Sequence, residues 1–227
     1  MAVERHINFF ELEKACGKPG CPLCRIVSDR TERYIDNMLF EHVTDRTFRK
    51  QHRLAGGFCG FHSRNLESFR DGLAVAILGR DILEDRISAF KKRKIWKPKE
   101  TCPICAEKNR IEKEYLTFLA GGNISVNPAE KAGSSEKTEN EQALRDFFIA
   151  SEGLCAPHYG ALLETAKRIP EWLISFHEHK FTELLRRTSQ FIDLSAYGKQ
   201  EEFAKLPEKD QVVWKELAVN LRGGAAF

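Results

Sequence analysis

The sequence predicts an all-α protein, a helical bundle built from two tandem repeats, each clipped by a Cys3His metal site. Three observations carry that expectation. Apolar residues recur at intervals of three, four and seven, and a sustained two-residue alternation is found nowhere. A Cys-Pro-x-Cys pair followed by a Cys-x-x-His pair occurs twice: Cys21 and Cys24 with Cys59 and His62, then Cys102 and Cys105 with Cys155 and His158. The two halves also stay in register, first at an offset of 81 positions and then at 96.

Taken in order, residues 6–15 make a short amphipathic lead-in carrying Ile7, Phe10 and Leu12. Cys16-Gly17-Lys18-Pro19-Gly20 is turn chemistry and ends it. From Leu23 the apolar positions Ile26, Val27, Tyr34, Ile35, Met38 and Leu39 define one buried stripe of a long helix. Thr44-Asp45 caps the next helix, which runs to about Leu54 and stops at Gly56-Gly57. A helix with Leu73, Ile77, Leu78, Ile82 and Phe90 closes the first half and runs into Lys91-Lys92-Arg93-Lys94, read as a solvated helix end.

The second half repeats this pattern. Ile104, Ile111, Tyr115 and Leu119 follow Cys102 as Leu23, Arg30, Tyr34 and Met38 follow Cys21. The register breaks at Gly121-Gly122, and the extra residues fall in a segment from Asn123 to Asn140 with little to bury, expected to be a mobile surface loop. After His158 comes a short helix to about Arg168, then a long one behind Pro170 with Leu173, His177, Phe181, Leu184 and Ile192 on one face. Pro207 opens a last helix whose Val213, Trp214, Leu217 and Leu221 dock back on the bundle. The expected division is residues 1–97, residues 98–195 with an insert at about 121–140, and a docking helix in 196–227.

Composition narrows the function. With 42% hydrophobic and 30% charged residues in 227, the chain can bury a core. Its 36 basic and 33 acidic residues nearly balance, which gives no general electrostatic argument for nucleic acid. No run approaches the roughly 18 apolar residues of a membrane span, and charges stand where a secretory leader needs its apolar core. A cytoplasmic location is the expectation. In a reducing compartment paired CxxC motifs bind metal or do redox chemistry, and seven cysteines suit a disulfide framework poorly.

The ligand chemistry follows from the spacing. A CxxC turn brings two thiolates to one side of a bend, and the proline after the first Cys pre-sets that bend. The helix that begins there offers its N-terminal amides to the thiolate charge. CxxH adds one sulfur and one imidazole, completing a tetrahedron suited to Zn2+. Gly57 and Gly153, two positions before Cys59 and Cys155, let the backbone close around the ion. Two zinc ions per chain are expected, at Cys21, Cys24, Cys59 and His62 and at Cys102, Cys105, Cys155 and His158. Four protein ligands leave no open position, so the role is structural rather than catalytic. An iron–sulfur cluster on the same ligands is the rival reading; a thioredoxin-like role lacks its βαβ context.

Other residues read as ordinary structure. Cys16 has no counterpart and is a thiol near the first site. His177 is a core histidine with a hydrogen bond, while His6, His42 and His52 read as surface residues. Tyr34 and Tyr115 pack in equivalent places, and Arg186-Arg187 is a helix surface pair. The sequence holds no phosphate-binding glycine loop, GxSxG, HExxH or carboxylate cluster. An interaction or adaptor module with a protein partner is the leading expectation. A nucleic-acid binder using Lys91 to Lys94 and Arg186-Arg187 is the weaker alternative.

These motifs carry a resemblance. Cys21-Pro22-Leu23-Cys24-Arg25 followed by Glu32-Arg33-Tyr34, Gly57-Phe58-Cys59 with His62, the second CPxC, Gly153-Leu154-Cys155 with Pro157-His158, and Trp214 resemble an uncharacterised family of bacteria and archaea, a numbered domain of unknown function. The likeness spans nearly the whole chain and departs in the Asn123–Asn140 insert and in Cys16. It implies the eight ligands and no activity.

Overall fold

The computed structural model describes residues 6–121 and 134–223. Among the described residues the regular structure is helical throughout, with no extended strand. The chain divides into two compact units, one from Met1–Ile26 with Lys113–Phe227 and the other Val27–Glu112. These do not coincide with residues 1–97 and 98–195. The boundaries fall inside α2 (Pro22–Asn37) and α6 (Pro103–Leu119), so each of these helices begins in one unit and ends in the other.

In the second unit the far end of α2 runs through a π-turn (Met38–His42) to α3 (Arg46–Ala55), α4 (Gly60–Asn65), a 3-10 turn (Leu66–Phe69) and α5 (Gly72–Lys91). Asp45 caps α3 by accepting from the Phe48 N–H, and Gly56 ends it in the left-handed conformation at φ +72°. The stripe read from α2 is the core here: Ile35, Met38 and Leu39 pack with Leu66, Ala74, Leu78, Cys102 and Ile104. On α5 the buried positions are Ala74, Leu78 and Asp81, whereas Leu73 and Phe90, expected on the inner face, are exposed. Arg49 makes a bidentate pair with Asp81, at 2.7 and 2.6 Å, and Arg53 does the same with Asp85, so α3 is tied to α5 twice. Lys91 to Lys94 are exposed, as expected.

In the first unit α1 (Ile7–Cys16) buries Phe9 and Leu12 and leaves Ile7 and Phe10 exposed, one position off the expected stripe. It packs on α7 (Ser134–Ile149), with the Phe9 and Phe147 rings edge to face at 5.2 Å. The end of α6 joins them, its Tyr115 hydroxyl donating to Glu11. Residues 134–140 therefore belong to a helix and not to a loop, and Asn140 is buried; the remainder of the expected loop lies outside the described residues. The hydrophobic positions Leu144 and Phe148 supply the reason, since they need a helix to reach the core. Next come α8 (Ala156–Thr165), α9 (Glu171–Leu194), α10 (Gln200–Phe203), α11 (Glu208–Gln211) and α12 (Val213–Arg222), the last packing on α8 and α9. Val213 is fully buried while Trp214 and Leu221 are exposed. Arg187 is not a surface residue. Its side chain is 11% exposed and holds Asp210 at 2.6 Å and Glu216 at 2.8 Å, pinning α9 to α11 and α12.

Candidate metal centres

Four helix N-termini build two ligand sets. Pro22 and Pro103 are the first residues of α2 and α6, where a missing N–H costs nothing. That makes Cys21 and Cys102 the capping residues, while Cys59 and Cys155 cap α4 and α8. In all four the cysteine carbonyl accepts the first helical hydrogen bond, from Arg25, Ala106, Ser63 and Tyr159. The partner ligand three positions on lies on the same face of the first turn. Each motif thus presents two ligand atoms at the positive end of a helix dipole, which favours thiolate.

The structure brings all eight expected ligands together in two clusters, and it exchanges their partners. Centre 1 is Cys21, Cys24, Cys155 and His158; centre 2 is Cys59, His62, Cys102 and Cys105. The expected pairing within each half is overturned. The two CxxH motifs offer the same chemistry, so spacing alone cannot tell them apart; burial decides. Within the unit Val27–Glu112, Ile35 and Met38 pack with Cys102 and Ile104, and Cys59 and Cys105 pack against that same core, so Cys59 lies beside the second CPxC pair. Centre 1 therefore joins cysteines 131 positions apart, and centre 2 joins cysteines 46 apart.

Within each centre the four ligand atoms all lie within 4.8 Å of one another. In centre 1 the Cys24 and Cys155 sulfurs are 3.6 Å apart, and His158 Nδ1 is 3.4, 3.3 and 3.2 Å from Cys21, Cys24 and Cys155. In centre 2 the Cys59 and Cys105 sulfurs are 3.7 Å apart, and His62 Nδ1 is 3.3, 3.6 and 3.3 Å from Cys59, Cys102 and Cys105. A tetrahedron with metal–sulfur bonds of about 2.3 Å sets its sulfurs about 3.8 Å apart. Both clusters can hold a metal ion.

Electrostatics point the same way. In centre 1 hydrogen bonds from Cys21 and Cys24 pull the Cys155 thiol far below its ordinary range, while burial pushes Cys21 well above. In centre 2 burial opposes ionisation of Cys59, but backbone amides of His62 and Phe61 and the Cys105 thiol outweigh it and lower its pKa. Burial, then its bond to Cys59, pushes Cys105 up to about 12. The acidic thiol in each centre is the CxxH cysteine capping a short helix. The second and third thiolates need a cation to hold them, and a bound metal would release their protons.

The surroundings differ. All four ligands of centre 1 are buried, whereas Cys59 and Cys105 of centre 2 are half-buried. Helix α9 grips the residue before Cys155 on both sides: His177 Nε2 accepts the Leu154 N–H at 3.0 Å, and Lys180 donates to the Leu154 carbonyl at 2.7 Å. His177 is the hydrogen-bonded core histidine expected of it. Gly223, at φ +70°, closes α12 directly over centre 1; a side chain there would meet the Cys155 and Cys24 sulfurs at 3.4 and 3.7 Å. Lys180 follows His177 by one helical turn, so its place was open to a sequence reading; Gly223 gave no signal. At centre 2 the residue before Cys59 is Phe58, and buried His52 packs on its ring at 4.6 Å. His52 is 1% exposed, contrary to its reading as a surface residue, because α3 turns it onto Phe48 and Phe58. His6 is half-buried and caps α1, its Nδ1 accepting the Asn8 N–H at 3.2 Å. Cys16 is buried and outside both clusters, its thiol raised to about 12 by burial, so it stays a thiol. Gly57 and Gly153 have positive φ, +92° and +64°, and a Cβ there would meet Ile82 and Phe176.

No family model matches the chain, and no solved structure matches it. It is 31% identical over 184 residues to an uncharacterized 23.9 kDa protein in the xynA 3′ region of Caldicellulosiruptor sp. (strain Rt8B.4), an alignment covering 78% of this chain and 83% of that one. At that identity over more than two thirds of each chain, the chain belongs to the same family as that 23.9 kDa protein.

Proposed function

We propose that the chain is a two-zinc protein whose ions are structural, and that it serves as a cytoplasmic interaction or adaptor module for a protein partner. The observation that carries the metal assignment is the pair of sulfur–sulfur distances, 3.6 and 3.7 Å, inside clusters no wider than 4.8 Å. One tetrahedral ion fits that spacing. A four-iron cluster gives each ligand its own iron and spreads the set wider, so the iron–sulfur reading is the weaker one. Four ligands per ion favour a structural role over Lewis-acid chemistry. Seven free cysteines suit a reducing compartment, and no described helix is long and apolar enough to cross a membrane. Exposed Phe40 at 88% and Ile95 at 84% are the kind of side chain a protein partner covers.

The test is elemental analysis with an absorption spectrum on protein purified without oxygen. Two equivalents of zinc in a colourless protein support the proposal. A brown protein with iron and visible absorption would transfer these ligands to redox chemistry.

A further inference from the structure

Beside α3 lies a groove of about 470 Å³ that neither metal centre uses. Arg46, Arg49, Lys50 and Arg53 stand at helical spacings of three and four, on one face of that helix, and all line it. Lys99 completes the ring of cations from the segment before Cys102, and Trp96 forms the apolar wall. Against five cations the groove sets two carboxylates, Asp81 and Asp85, each engaged by Arg49 or Arg53. Arg46, Lys50 and Lys99 have no acidic partner among the described residues.

This arrangement is costly for the fold alone. Like charges four apart on a helix repel, and Arg46 stands at the first position of α3, where the helix dipole disfavours a cation. Yet the groove is rigid. Asp81, 2% exposed, fixes the Arg49 guanidinium, and each paired arginine keeps N–H groups that its carboxylate does not use. The wall is equally fixed: the Arg86 guanidinium lies 4.4 Å from the Trp96 ring centroid, and Gly56 is so close to the ring that any Cβ there would collide with it. The Lys99 N–H bonds the Leu54 carbonyl at 2.8 Å, anchoring the far rim to α3. Charge is also unequal along the chain, with 18 Lys and Arg against 13 Asp and Glu in residues 27–112 and 18 against 20 elsewhere.

We propose that this groove is a binding site for a small phosphorylated molecule, its phosphomonoester held by Arg46, Lys50 and Lys99 with Arg49 and Arg53 in support. Fixed guanidiniums match phosphate oxygens, and unpaired lysines supply the remaining charge. The volume falls in the range of small-molecule sites, roughly 300–1,000 Å³, and a wall of Trp96 suits the organic part of such a ligand. An extended polyanion would instead draw on the exposed Lys91 to Lys94 run, which the groove does not include.

Titration calorimetry of the zinc-loaded chain with AMP, ribose 5-phosphate and adenosine tests this. Saturable one-to-one binding of both phosphates, with none of adenosine, is expected. Arg46→Ala, Lys50→Ala and Lys99→Ala should each weaken it about tenfold, the scale of one charge-assisted contact. A Lys91→Ala/Lys92→Ala chain should bind as before. The three single changes are at exposed positions on two segments, so unchanged zinc content and melting certify the fold. Absent saturation overturns the proposal, as does an affinity unmoved in all three variants. So does adenosine binding as well as AMP. Tight binding of a twelve-residue oligothymidylate that falls equally with the Lys91/Lys92 change would replace it with a nucleic-acid surface.

Discussion

Around Cys155 the ligand turn is held by hydrogen bonds from α9, with Gly223 closing over the sulfurs; around Cys59 the equivalent turn rests on ring packing and lies partly open. The two sets of ligands are alike in type, motif and helix-capping geometry, so the ligands by themselves should bind an ion equally. What separates them is what surrounds and orients the ligand turns. Hydrogen-bonded support fixes ligand orientation and typically changes metal affinity 10–100-fold. Burial adds to this, because a chelator or oxidant must reach a sulfur before it can act. Identical motifs within one chain can therefore behave as a permanent clip and a looser one.

The largest effect concerns which ligands belong together. Cys24→Ser/Cys59→Ser touches both centres and should leave no zinc, whereas Cys59→Ser/Cys105→Ser touches only centre 2 and should leave one equivalent. Pairing within each half would give the opposite result, one and none. Structural zinc sites supply apparent binding energies of about 10–16 kcal/mol, so the zinc-free double variant should also lose its cooperative melt. A smaller effect should separate the two proposed ions in the unaltered chain. Zinc release to a chromophoric chelator should be biphasic, with centre 2 emptying at least roughly tenfold faster. The fast phase should vanish in Cys59→Ser/Cys105→Ser. A single phase would mean that Gly223 and α9 confer no protection.

The fold class was legible because the apolar stripe of α2, from Leu23 to Leu39, has helical spacing and is buried along its length. Helix ends were legible where the chemistry is local, as at Asp45 and Gly56. The eight cysteines and histidines that cluster were legible too, since a motif fixes residue type and spacing. Their partners were not. A repeat suggests self-contained halves, and what forbids them is tertiary: Cys59 packs against the core that holds Cys102. His52 and Arg187 failed for a related reason. Each looks polar and local in sequence, yet each is buried by residues beyond its own helix, Phe58 just past the α3 turn and Asp210 on α11. Composition assigns them to the surface, and tertiary contact overrides it.

The finest contrast lies between His177 and His52, buried beside equivalent turns. Burial lowers both to about 4, so both are neutral near pH 7. His177 spends its neutral nitrogen on the Leu154 N–H, while neither His52 nitrogen has a partner among the described residues. Removing His177 orphans a buried amide, so His177→Leu should cost about 1–3 kcal/mol at pH 7.5 by urea melting. His52→Leu removes two orphaned atoms and should stay within about 0.5 kcal/mol of wild type or exceed it. The pH dependence follows from the depressed pKa. Between about 6.5 and 4 the unfolded chain takes up a proton that buried His52 refuses, so its presence erodes stability as pH falls. At pH 5.5 that erosion is about 1.4 kcal/mol, and His52→Leu should be more stable than wild type by that amount. The difference between variant and wild type isolates it from any acid loss of zinc common to both. If His52→Leu costs as much as His177→Leu at pH 7.5, His52 has a partner after all, and the asymmetry between the two turns fails at its most local point.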